Sequence, residues 1–129
     1  MKLGFVSSIL EDWNFEEMVD LASKLGFQCV EVACWPKAKA ERRYAGVSHI
    51  DVLNLTNEKV DYIKGYCAEK KVEISSLAFY PNTLDSDLGK RKANVEHLLK
   101  VIDASAKLDV NMVTTWMDRI CCNICKRKS

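Results

Sequence analysis

Apolar residues in this chain alternate between short runs and stretches in which they recur every three or four positions. Lys2–Ser7 is a short run and reads as a first strand. After Asn14, a capping residue, Phe15, Met18, Val19, Ala22 and Leu25 fall at helical spacing, and Gly26 supplies a left-handed stop. Cys29–Ala33 follows two residues later as a second strand, so the helix crosses over between strands that run parallel. Asn57 caps a second helix with Val60, Ile63 and Cys67 inward, ending near Lys70-Lys71. Val72–Phe79 is a third strand; it stops at Tyr80-Pro81-Asn82, because Pro81 has no amide hydrogen to give a sheet ladder. Asp85-Ser86-Asp87 opens a third helix with Val95, Leu98, Leu99, Ile102 and Ala106 on one face, and Asp109 leads into a fourth strand, Val110–Trp116.

Four strands alternating with three helices make a repeated βα module and an α/β fold. Right-handed crossovers put the helices on one side of a curling sheet, as in a (β/α)8 barrel, which typically takes about 250 residues. With 129 residues, the chain reads as half of such a barrel. Residues 1–116 form the half-barrel, and 117–129 form an irregular Cys/basic tail with neither a helical stripe nor strand alternation. The tail stands where a fourth helix is expected, which points to a truncation or frame change.

Composition narrows the function. Nineteen Lys and Arg against eighteen Asp and Glu leave a net charge of +1, which gives no global field favouring nucleic acid. No apolar run approaches the roughly 20 residues of a membrane span. The six cysteines are unevenly spread, unlike a secreted disulfide framework, and suggest reduced thiols in a cytoplasm. Cys122-Asn-Ile-Cys125 lacks further ligands at zinc spacing and opens no helix after a strand, so neither a metal nor a redox motif is expected there. Gly26, Gly46, Gly65 and Gly89 stand alone, without a phosphate loop.

Candidate chemistry gathers at strand ends, where α/β folds place ligands. Trp13, Trp35, Tyr80 and Trp116 each follow a strand. Their rings suit stacking on the C–H faces of a sugar, or equally capping of the hydrophobic layers. Alternation in the second strand puts Val30 and Val32 toward the helices and leaves Glu31 on the opposite face, where a carboxylate needs a partner. Glu31 therefore reads either as a contact for a substrate hydroxyl or as a strand-end charge reaching water. Asn82 can serve a hydroxylated ligand or simply shape its turn. His49 reads as a surface or helix-entry residue and His97 as a solvated residue in mid-helix, and their spacing is not that of a metal site.

Lys2–Ser7, Gly26–Pro36, Arg43–Val52, Glu73–Leu84 and Asn94–Thr115 together resemble the sugar phosphate isomerase/epimerase family of xylose-isomerase-like TIM barrels. The resemblance implies metal-assisted proton transfer on a small sugar or sugar derivative. In full-length members a divalent metal (Mn, Mg or Zn) is held by carboxylates and a His from the fifth to eighth strands. By that resemblance this chain carries no metal and no catalytic residue, and contributes a substrate-facing rim of Glu31, Trp35, Tyr80, Asn82, Trp116 and Arg119. Asp118-Arg119 stands where the family usually has Gly-Arg. The related apurinic endonucleases place zinc-binding histidines where this chain has Tyr80, Asn82 and Trp116, so that chemistry is not expected. What remains is a half-barrel inactive alone, a small sugar as ligand, and self-association through open sheet edges.

Overall fold

The computed structural model describes residues 1–37 and 45–117. Seven main elements alternate along them: β1 (Gly4–Val6), α1 (Phe15–Lys24), β2 (Cys29–Ala33), α2 (Asn57–Lys70), β3 (Glu73–Phe79), α3 (Leu88–Lys107) and β4 (Val113–Thr115). The strands form one sheet in the order β1-β2-β3-β4, every neighbouring pair parallel. This is the expected α/β architecture, four parallel strands and three helices consistent with half of a TIM barrel. The predicted tail lies outside the described residues from 118 onward.

Local chemistry accounts for the element ends. Asn14 accepts from the Glu17 amide at 2.8 Å while the Glu17 carboxylate accepts from the Asn14 amide at 2.8 Å, a reciprocal capping box that opens α1. Gly26 ends it at φ 81°. The cap of α2 is Thr56, whose hydroxyl accepts from the Lys59 amide, so the expected cap Asn57 is instead the first helical residue. Asp87 caps α3. The outer strands are shorter than their apolar runs. Ser7–Ile9 turns into a 3₁₀ helix, and Val110 is a buried plug whose amide closes back on the Ser105 carbonyl. Gly4 has a different reason: a Cβ there would strike the carbonyl oxygen and sulfur of Cys29.

The core lies between the sheet and the helices. Val30, Val32, Leu77 and Phe79 project into it from the strands, and Met18, Val19, Ala22, Val60, Ile63 and Val101 from the helices. Each such side chain contributes roughly 1.5–3 kcal/mol when fully buried.

Two helix faces depart from the pattern. Leu25, expected inward, is the capping residue of α1 and is 60% exposed. In α3 the buried set is His97, Val101, Ala104 and Ser105, whereas Val95, Leu99 and Ile102 face outward. The helix is turned so that its small and polar side chains meet β3 and β4. His97 is accordingly buried, not on the surface: its Nε2 donates to the Cys34 carbonyl at 2.7 Å and its ring lies 4.6 Å from Phe79.

Candidate functional site

The face of the sheet opposite the core carries Glu31 from β2, Ser76 from β3 and Thr114 from β4. A bulge puts Glu31 level with Ser76, and Thr114 stands level with Ala78, the next position on the same face. Between Val30 and Glu31 the register shifts, so that Glu31 pairs with Ser76 and Ser75 is the extra residue. The Ser75 hydroxyl satisfies the Val30 carbonyl at 3.1 Å. In an unshifted register Ser75 would oppose Glu31, and Ser76 would oppose Val32 on the core face.

The Glu31 carboxylate then gathers three hydroxyls. Its Oε2 accepts from Ser76 Oγ at 2.8 Å and from Thr114 Oγ1 at 3.0 Å, and its Oε1 accepts from the Tyr80 hydroxyl. The Tyr80 and Thr114 oxygens are themselves 3.4 Å apart. Burial raises the Tyr80 pKa, and its bond to Glu31 raises it further, against a smaller opposing effect of Thr114. Tyr80 therefore stays protonated and donating at neutral pH, and is no phenolate base. Two carboxylate oxygens offer about four acceptor positions. Among the described residues three are used, which leaves one for a hydroxyl from outside.

The sequence-predicted rim is only partly assembled here. Glu31 and Tyr80 come together. Asn82 holds its own turn, its Oδ1 accepting from the Leu84 amide and its carbonyl from Asn94 Nδ2. Trp35 packs edge-on against Phe79 with centroids 5.7 Å apart, and its buried Nε1 has no hydrogen-bond partner among the described residues. Trp116 follows β4 with 59% exposure. Arg119 lies outside the described residues. Trp13 lines a different cleft with Ile50, Tyr62 and Asp51, of about 550 Å³. Ser76 and Thr114 were missed, although period-two alternation from Leu77 and from Val113 places both opposite the core.

A second polar cluster was also missed. His49, expected at the surface, is 7% exposed. Its Nε2 lies 3.2 Å from the Leu10 carbonyl, which can only accept, so Nε2 carries the hydrogen. Its Nδ1 then accepts from Ser7 Oγ at 2.9 Å, and Ser7 Oγ accepts in turn from the Ala33 amide at 2.8 Å. Burial lowers the His49 pKa, outweighing the carbonyl contacts that raise it. With Ser7 wholly buried, this Ser–His pair locks the end of β1 to β2.

Two buried thiols are unreactive by the same logic. Burial pushes Cys34 up to about 12 and Cys67 up to about 11. Among the described residues no group of three His, Cys, Asp or Glu is placed to hold a metal ion, and both Glu31 oxygens already accept from hydroxyls. The described donor set does not fit a divalent metal. No helix among these residues is long and apolar enough to cross a membrane.

No curated protein matches the chain. Residues 19–120 match the family model described as xylose isomerase-like TIM barrel. That span runs from α1 through β4 and contains Glu31, Ser76, Tyr80 and Thr114. On that match and on its parallel βα sheet, the chain belongs to the xylose isomerase-like TIM barrel family.

Proposed function

We propose that the Glu31 cluster binds hydroxyl groups of a small sugar or sugar derivative, as the substrate-facing half of an isomerase or epimerase barrel. The observation that carries this reading is one carboxylate oriented by Ser76, Tyr80 and Thr114 with an acceptor position to spare. Tyr80 and Thr114 can each accept from a ligand hydroxyl while still donating to Glu31. These groups bind and orient. The chemistry a divalent metal supplies in this family has no fitting donor set among the described residues, so the proton transfer is assigned to groups outside them.

Titration of the chain with pentoses, ketohexoses and their phosphates, followed by amide NMR shifts, tests the reading. Saturable shifts at Glu31, Tyr80 and Thr114 that vanish in Glu31→Ala are expected. No saturable shift with any of these sugars overturns the binding role. Turnover of a ketose by the chain with added Mn²⁺ overturns its restriction to binding.

A further inference from the structure

The two outer strands are unusually undefended. Sheet edges are normally blunted by charge or proline, because their free N–H and C=O groups recruit other strands. Neither Leu3–Ser7 nor Val110–Met117 contains a charged residue or a proline. Among the described residues β1 pairs only with β2 and β4 only with β3. The Leu77 amide donates to the Met112 carbonyl, and parallel ladders use alternate residues, so the backbone groups of Val113 and Thr115 face the free side. On β1 the Leu3 carbonyl accepts from Gln28, which leaves Gly4 and Val6 facing outward. Exposed apolar side chains flank both edges: Leu3 and Val6 beside β1, Met112 and Trp116 beside β4.

We propose that both edges are filled by a second copy of this chain, related by a two-fold axis along the strands. Such a rotation brings β4 of each copy beside β1 of the other, parallel in both places, and makes an eight-stranded closed sheet. Eight is a number at which side chains fill a barrel interior. The contact is isologous, so it ends at two copies. An added single strand would cover one edge and leave the other bare.

Charge at the strand ends agrees. β1 starts from the Met1 amino group and Lys2, and β4 is approached through Asp109. Parallel neighbours bring these ends together. Lys2 and Asp109 pair within the chain with Glu73 and Lys64, yet their side chains remain 53% and 76% exposed and can be shared. Closure also sets a second Glu31–Tyr80 cluster across the barrel from the first. The inference does not depend on the sugar-binding reading.

Sedimentation of the 129-residue chain over a wide concentration range tests it. A reversible monomer–dimer equilibrium is expected. Thr115→Pro removes an outward-facing amide while sparing the bonds to β3. It should weaken the dimer at least about tenfold, equivalent to about 1.4 kcal/mol, with an unchanged far-ultraviolet circular dichroism spectrum. Leu3→Lys, on the opposite edge, should do the same and serves if the proline variant does not fold. A chain that stays monomeric at millimolar concentration overturns the proposal. So does growth beyond two copies, or a dimer indifferent to both edge variants.

Discussion

Glu31 and His49 are each satisfied by hydroxyls, with opposite consequences. Glu31→Ala leaves Ser76, Tyr80 and Thr114 without their shared acceptor and should cost about 1–3 kcal/mol. Glu31→Gln keeps one acceptor oxygen and should cost less; urea denaturation of both variants orders them. A negligible loss in both would show that the hydroxyls do not depend on the carboxylate side chain. His49 is held neutral, its pKa below the ordinary 6.5 because of burial. The unfolded chain therefore takes up a proton below about pH 6.5 that the folded chain refuses, so stability is full above that pH and falls as pH drops through the folded value. The urea midpoint should decline between pH 7 and pH 5, and His49→Gln should flatten that decline. The carboxylates whose pKa values are lowered, Asp20 and Asp51, start from 3.8 and act at more acid pH.

The α3 helix shows what periodicity can and cannot decide. Its length and its start at Asp87 follow from capping chemistry and spacing. Its orientation does not, because Val95, Leu99 and Ile102 form an apolar stripe as regular as the buried one at His97, Val101, Ala104 and Ser105. What chooses between them is tertiary: His97 finds the Cys34 carbonyl and the Phe79 ring only with the second face inward. Val101→Ala should therefore cost roughly 1.5–3 kcal/mol, and Leu99→Ala no more than about 0.5 kcal/mol, as for a surface site. Chemical denaturation of the two variants checks the assignment, and the reverse order would restore the face that hydrophobicity alone favours. The same limit applies to the site. Glu31 was legible from the alternation of β2, and Tyr80 from its place after β3. Their union through Ser76 depends on the bulge at Ser75, whose trace in the spacing is small: the core-side residues Ile74 and Leu77 stand three apart and break the period of two.

At the scale of the whole molecule, the order of strands and helices was legible because each helix has its own apolar spacing and start signal and each strand lies in a short, mostly apolar run. The long connection after Cys34 was not, since its meaning lies in distant partners. Its Ser48 bridges Cys34, and its His49 amide donates to the Ala33 carbonyl, tying that loop to the end of β2. These contacts meet the rest of the core at Phe79, 1% exposed, which touches the Trp35 ring on one side and His97 of α3 on the other. Because α1, α2 and α3 all pack on one cluster, no part of the described chain has a separate core to retain. Phe79→Ala should cost about 3–5 kcal/mol, a large part of the 5–15 kcal/mol typical of a domain. The loss should appear as a single cooperative melt displaced to lower temperature, followed together by tryptophan fluorescence and by far-ultraviolet circular dichroism. If fluorescence changed well before helicity, the end of β2 and the helical layer would be separate cooperative units, and the core would not be the single body its contacts describe.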